Sequence, residues 1–174
     1  MSGGFDFATL TMPQVLKRRA ETQGAGLALR EKQKGLWRRF TWKDYFETAR
    51  LTAIGLHALG FRPGDRLAVA GDDSPQWLFA DLGAQIAGGA CLGIYPTNPW
   101  PELQYIVRHS RARIVICGDQ EQTDKVLEAR RQEGGLPDVE HIVCVDMKGM
   151  RQYREPGLMS FDDLVQLGRA KEAE

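Results

Sequence analysis

The sequence predicts an α/β fold, with a mostly parallel sheet that carries helices on both faces and is preceded by an N-terminal helix and a β-hairpin. Two observations support this prediction. Four apolar runs are too short to be helices, and segments of helical periodicity separate them. Turn residues, mainly glycine and proline, lie at most of the junctions. Such alternation is typical of βαβ units joined by right-handed crossovers. The apolar runs are residues 67–70, 90–94, 114–117 and 142–145.

The first 40 residues predict a helix and a hairpin. Thr11 is a suitable N-cap for a helix over residues 12–19, and Pro13 is tolerated in its first turn. Two apolar segments then flank the polar turn at residues 31–35, where Gly35 can adopt a positive φ. We therefore expect two antiparallel strands ahead of the parallel sheet.

Helices are predicted between the apolar runs and after the last one. Apolar residues recur at spacings of three and four from Thr41 to Gly60, and Ser74 with Pro75 begins the next helix. Ser160 and Asp163 form a capping box for a short final helix. The resulting division is an N-terminal helix and hairpin, a parallel α/β part and a frayed polar tail, which together form one structural unit. These parts cover residues 1–40, 41–168 and 169–174. The helices predicted between the apolar runs cover residues 74–86, 102–110 and 120–131.

Composition restricts the classes of partner and compartment. The 174 residues carry 23 basic and 23 acidic side chains, so no net charge favours nucleic acid. The 43% hydrophobic content is that of a folded globular chain. We find no leader among the first residues and no apolar run long enough for a transmembrane segment, and we expect a cytoplasmic protein. Three cysteines in apolar runs indicate buried, reduced thiols (Cys91, Cys117 and Cys144).

Open parallel sheets bind ligands at the carboxyl ends of their strands, so those loops are the candidate sites. The first loop holds Asp72 and Asp73, which would repel a phosphate. They suggest either a divalent-metal site or acids that complement a helix dipole. Asp119, after the third strand, suggests the phosphoacceptor of a signalling receiver domain. An alternative function is therefore a self-contained metal-binding or receiver-like domain.

The loop after the second strand holds three prolines within residues 95–101. These prolines make the loop rigid, and it carries a phenol, a hydroxyl and an amide that could line a substrate pocket. The alternative is that the prolines only fix the entry to the next helix while the aromatic rings pack. We list Tyr95, Thr97 and Asn98 as substrate-pocket candidates, and we assign no catalytic, cofactor-binding or metal-ligating residue.

Seven segments in register along the chain resemble the amino-terminal region of the AMP-forming acyl-CoA synthetases, with features of the long-chain fatty acid–CoA ligase branch. Each pattern is weak, and their common order carries the resemblance over about residues 13–168. The segments are FTWKDY at 40–45, GFRPGDRLAV at 60–69, SPQW at 74–77, GGA at 88–90, YPTN at 95–98, PELQYI at 101–106 and SRARIV at 110–115.

The resemblance implies an enzyme that uses ATP and Mg²⁺ to convert a carboxylic acid into an acyl-adenylate and then transfers the acyl group to coenzyme A. The family's phosphate loop of Ser, Thr, Gly and Lys is expected shortly after Gly168 and is absent from this sequence. Some relatives contact coenzyme A with basic residues after the third strand, where this chain offers only Lys125 among acids. We do not transfer that role.

We therefore expect the amino-terminal part of a larger fatty acid–CoA ligase, inactive by itself and with no cofactor bound to this chain. Its partners would be the remainder of the enzyme and, in the full enzyme, a fatty acid. An apolar face that the remainder would cover predicts self-association, most simply as a homodimer.

Overall fold

A computed structural model describes residues 9–172, and within this range the chain forms a two-stranded hairpin, a five-stranded sheet and six helices. The predicted α/β class is confirmed. The elements are α1 (Met12–Gln23), β1 (Leu27–Gln33), β2 (Leu36–Thr41), α2 (Trp42–Ala58), β3 (Arg66–Ala70), α3 (Pro75–Ile86), β4 (Ala90–Ile94), α4 (Trp100–Ser110), β5 (Ile114–Cys117), α5 (Gln120–Arg131), β6 (His141–Cys144), β7 (Leu158–Ser160) and α6 (Phe161–Glu172).

Reciprocal capping fixes where two of the longer helices begin. The Thr41 amide donates to the Asp44 carboxylate at 2.8 Å, and the Asp44 amide donates to the Thr41 hydroxyl at 3.1 Å. The Thr41 hydroxyl and amide hold the pKa of Asp44 below its usual value. Ser160 and Asp163 repeat the arrangement at α6, as the sequence predicts. Each pair satisfies amides that have no partner inside the helix.

The main sheet has the strand order β4-β3-β5-β6-β7, and all its neighbours are parallel. The chain first moves from β3 to β4 on one side and then crosses to β5 on the other side of β3. The order therefore reverses between β3 and β5. In open α/β sheets, the crevice at such a reversal is the usual place for a ligand.

Two apolar cores cover the two faces of the sheet, and the predicted three-layer arrangement is confirmed. On one face, α1, α2, α3 and α6 pack against the side chains of Leu67, Val69 and Ile116. On the other face, α4 and α5 pack against Val115 and Ile142. No helix within residues 9–172 is long and apolar enough to cross a bilayer, since even α2 has 17 residues.

The carboxyl-terminal part of the chain departs from the prediction. β7 is a fifth parallel strand of three residues, too short to give a periodic signal. α6 continues to Glu172, where the sequence predicts a frayed tail from residue 169. Near its end, the Glu172 carboxylate lies 2.5 Å from the Arg50 guanidinium of α2. Residues 1–8, which include the start inspected for a leader, and residues 173–174 lie outside the described range, and the three-part division stays a prediction.

Arg113 joins three segments at the amino end of the sheet. Its guanidinium donates to the Gly60 carbonyl at 3.2 Å and to the Asp65 carboxylate at 3.1 Å, and it also contacts the Glu140 carboxylate. Glu140 and Asp65 together raise the pKa of Arg113. The group therefore ties the α2–β3 turn to the start of β5 and to the segment before β6.

We expect Arg113→Met to lower the free energy of unfolding by about 1–2 kcal/mol, because one charge-assisted network is lost and the half-buried Asp65 carboxylate keeps the Arg62 amide but loses its cation. Urea unfolding at neutral pH measures the change. Arg131→Met is the matched control. Its guanidinium pairs with Glu155 at 3.2 Å and is 63% exposed, so the cost is at most about 0.5 kcal/mol. Equal costs for the two variants would contradict the network.

Candidate functional site

The reversal point of the sheet lies between the loops that follow β3 and β5, and two glycines meet there. A Cβ atom built on Gly71 would lie 3.1 Å from the Cα atom of Gly118. A side chain at Gly71 would therefore press against the loop that follows β5. This contact brings the residues that follow each glycine to the same edge of the sheet.

A cleft of about 580 Å³ opens above this edge, between the loops and the hairpin. Its walls are charged with both signs, and acids predominate. Four aspartates come from the strand ends (Asp72, Asp73, Asp119 and Asp146), while the cations include Lys34 and Arg38 of the hairpin and Lys148. A second cleft of about 620 Å³ lies between β1 and the start of α3 and is lined in part by Leu29, Trp77 and Leu78.

Two of these aspartates make local structural hydrogen bonds. Asp119 is the N-cap of α5 and accepts a hydrogen bond from the Gln122 amide at 2.9 Å. Asp146 accepts from the Lys148 amide at 3.0 Å. Asp72 and Asp73 are exposed at the start of α3, which Ser74 caps. Their position there complements the positive end of the helix dipole.

The structure does not support the predicted metal-binding alternative. Over residues 9–172, no group of three or more His, Cys, Asp or Glu side chains is arranged to hold a metal ion. The strand order itself is one that receiver domains also use, so topology does not separate that alternative from others. The receiver interpretation of Asp119 loses support because its carboxylate caps α5.

The three substrate-pocket candidates lie in the loop after β4, at the edge of the sheet. Tyr95 is 78% exposed, Thr97 is exposed and Asn98 is half-buried. The Asn98 amide donates to the Tyr95 carbonyl at 3.0 Å, which closes a tight turn. None of the three lines either of the two clefts described above. Their role as pocket residues stays a prediction.

Lys125 holds this loop against α5. Its ammonium group donates to the Pro96 carbonyl at 2.6 Å and lies 2.8 Å from the Glu121 carboxylate. The side chain is only 19% exposed. Lys125 thus has a structural contact with the proline-rich loop.

The three thiols are unpaired and shielded from solvent. Cys117 and Cys144 are buried and lie opposite each other on β5 and β6, and Cys91 is half-buried. Burial raises the pKa of Cys91 to about 12 and raises those of Cys117 and Cys144 as well. Thiols that stay protonated are poor nucleophiles. The geometry therefore gives none of them a catalytic role.

The residues at the carboxyl edge do not fit the phosphates of ATP. The loop after β3 places Asp72 and Asp73 where a nucleotide-binding turn would present glycine amides, and Asp119 and Asp146 add further negative charge. The acids outnumber the cations of this cleft, which are Lys34, Arg38 and Lys148. The lining of this cleft therefore gives no support for a chemical step on ATP.

The sequence did not indicate that the hairpin forms one wall of both clefts. Glu31 lines each of them, and its Oε2 atom is buried with no hydrogen-bond partner. The sequence shows that the hairpin is polar, but polarity does not indicate which elements a hairpin packs against. Tertiary packing of β1 against α3 determines this placement.

The fold is an open α/β domain with a cleft at the strand reversal. The model of the AMP-binding enzyme family matches residues 16–170, so the chain belongs to that family. This confirms the resemblance found in the sequence. Long-chain-fatty-acid–CoA ligase ACSBG2 of Xenopus laevis is 30% identical over 160 residues, and the protein of the same name from Rattus norvegicus is 31% identical over 167 residues.

Solved structures agree with this assignment. The anthranilate CoA ligase AuaEII, in complex with anthranoyl-AMP, superposes with a TM-score of 0.75 at 27% identity, covering 88% of this chain and 26% of that one. The N-terminal domain of FACL13 from Mycobacterium tuberculosis superposes with a TM-score of 0.74 at 22% identity, covering 92% and 36%. The match at 22% identity supports the fold.

The chain is short compared with its relatives. It spans 21% of the Xenopus ligase and 24% of the rat ligase, while 92% of its own length is covered in each case. The shared part therefore corresponds to one region of a larger enzyme.

Proposed function

We propose that this chain supplies the amino-terminal sheet of an AMP-forming fatty acid–CoA ligase, in which ATP and Mg²⁺ activate a long-chain carboxylic acid before transfer to coenzyme A. The observation that carries the proposal is the family match over residues 16–170, together with ligase relatives about four times longer than the matched region. In this role the chain contributes a scaffold and the remainder of the enzyme contributes the phosphate-handling groups.

The acidic carboxyl edge supports inactivity of the isolated chain. Adenylate formation needs donors or cations placed against developing negative charge, whereas this edge holds four aspartates. The purified chain, incubated with ATP, Mg²⁺, palmitate and coenzyme A, should form no acyl-CoA above background. Turnover by the chain itself would contradict this proposal.

A chimera tests the positive part of the proposal. Residues 16–170 replace the matched region of the rat ligase, and the control carries the ligase's own segment reinserted through the same junctions. We expect ligase activity above that of a ligase lacking the segment. A well-folded chimera with no activity, beside an active control, would count against a shared role.

Two finer proposals concern location and assembly. Three unpaired cysteines support a reducing compartment, so we propose a cytoplasmic location. Self-association as a homodimer stays a prediction, which sedimentation at high concentration tests.

A further inference from the structure

The outer end of the hairpin, residues 30–39, concentrates positive charge in a chain that is neutral as a whole. We name this segment the basic tip. It carries five basic side chains and one acid, Glu31, for a net charge of +4, while the whole chain has none. The basic residues are Arg30, Lys32, Lys34, Arg38 and Arg39. The rest of the chain is therefore acidic on balance.

The basic tip also exposes two large apolar side chains. Leu36 is 77% exposed and Trp37 is 61% exposed. They follow a tight turn in which Lys34 and Gly35 both have positive φ, at 49° and 83°. Consecutive positive φ values are typical of two-residue hairpin turns, which match the twist of the strands. The turn therefore presents the two side chains at the end of a well-defined hairpin.

Strand register places the tryptophan among the cations. Lys32 lies opposite Trp37, and Arg30 lies opposite Arg39, so alternation puts all four on one face. The Arg30 guanidinium lies over the Trp37 ring at 5.5 Å. The other face carries Phe40, which is buried in the core. Trp37 and its three cationic neighbours consequently lie on the face turned away from the core.

We propose that the basic tip binds the surface of an anionic phospholipid bilayer. Tryptophan favours the interface between headgroups and acyl chains, and leucine adds apolar area that enters it. Each lysine or arginine close to an anionic leaflet adds to the attraction. Trp37 with Arg30, Lys32 and Arg39 on the outward face, and the exposed Leu36 beside the turn, match these requirements, while Lys34 and Arg38 also line the acidic cleft.

A bilayer fits this surface better than a nucleic acid does. A long polyanion would extend from the tip over neighbouring surface, where the adjoining cleft exposes Asp72, Asp73 and other aspartates. One face of the Trp37 ring is moreover covered by Arg30, which limits base stacking.

Vesicle sedimentation of the 174-residue chain tests the proposal. We expect binding to vesicles of phosphatidylcholine with about 30% phosphatidylserine and at least about tenfold weaker binding to pure phosphatidylcholine. Raising NaCl from about 0.1 M to about 0.5 M should weaken binding several-fold, because the salt screens the attraction between the cationic side chains and the anionic headgroups. The readout needs neither ATP nor acyl transfer, so its failure would leave the proposed ligase function untouched.

Variants assign the binding to the tip. Lys32→Glu with Arg39→Glu should reduce vesicle binding at least about tenfold, and Trp37→Ser should reduce it about fivefold or more. Arg151→Glu with Arg169→Glu, at two exposed cations outside the tip, changes the net charge equally and should retain most binding. Thermal unfolding shows that each variant is folded.

Three outcomes would overturn the proposal. The first is equal binding to neutral and anionic vesicles, or no binding to either. The second is unchanged binding by the tip variants while the control pair loses it. The third is retention of an oligonucleotide that is as strong as vesicle binding and unaffected by Trp37→Ser, which would identify a nucleic-acid surface instead.

Discussion

Gly168→Ala should lower the free energy of unfolding by about 2–4 kcal/mol, because it inserts a methyl group where two helices are in backbone contact. A Cβ atom on Gly168 of α6 would overlap the carbonyl oxygen of Leu51 in α2. A Cβ atom on Gly55 would likewise overlap the carbonyl oxygen of Leu164. Alanine favours a helix by about 1 kcal/mol over glycine, which reduces the cost without cancelling it.

Urea unfolding followed by circular dichroism measures this effect. Gly118→Ala is the matched control, since its new Cβ atom would meet no atom closer than 3.4 Å, an ordinary van der Waals separation. We expect the control to change stability by less than about 1 kcal/mol. Unfolding of Gly168→Ala at the same urea concentration as the original chain would show that α2 and α6 separate at little cost.

The sequence predicted most accurately the elements that form through interactions between residues close together in the chain. Capping pairs such as Thr41 with Asp44 and Ser160 with Asp163 act within four residues, and the structure begins α2 and α6 there. The apolar run at 114–117 is flanked by turn residues, and it forms the fully buried strand β5. Local hydrogen bonding and burial are sufficient to explain these cases.

The sequence did not predict correctly the features that depend on contacts between residues far apart in the chain. α6 continues past residue 169, and Glu172 near its end pairs with Arg50, which is more than one hundred residues away in sequence. β7 forms because β6 offers it a free edge, since three residues carry no periodic pattern of their own. The close approach of Gly55 and Gly168 has the same character. Only the folded chain brings these partners together.

The candidate site was predictable in location and only partly in composition. Parallel-strand topology indicated the loops with Asp72, Asp73 and Asp119, and these residues line one cleft. The topology did not indicate the hairpin wall with Glu31 and Arg38, because hairpin placement depends on packing against α3. It also grouped Tyr95 with the other strand-end residues, whereas β4 is an edge strand and its loop lies apart from the cleft lining.

The buried thiols make the chain sensitive to alkaline pH, and we expect its free energy of unfolding to fall by about 3 kcal/mol or more between pH 8.5 and pH 10. Burial raises the folded-state pKa of Cys117 and Cys144, and raises that of Cys91 to about 12. Below the unfolded-state pKa of about 8.5, both states hold the thiol proton and stability is unaffected. Above it, only the unfolded state releases protons, so stability falls until the folded pKa is reached.

Cys91 and Cys117 each contribute about 1.5 kcal/mol over this range, since one pH unit corresponds to about 1.4 kcal/mol for a group that ionises only when unfolded, and Cys144 adds to the loss in the same direction. Tyr45 adds to the loss above about pH 10, because burial raises its pKa to about 12. Guanidinium unfolding at several pH values, with a reductant present, measures the slope. Cys91→Ala should make the thiol-dependent loss about 1.5 kcal/mol smaller, and the difference between its slope and that of the original chain isolates one thiol. If the two slopes were identical, Cys91 would have to ionise as readily in the folded chain as in the unfolded one, which is incompatible with its position beside Asp81 in the apolar core.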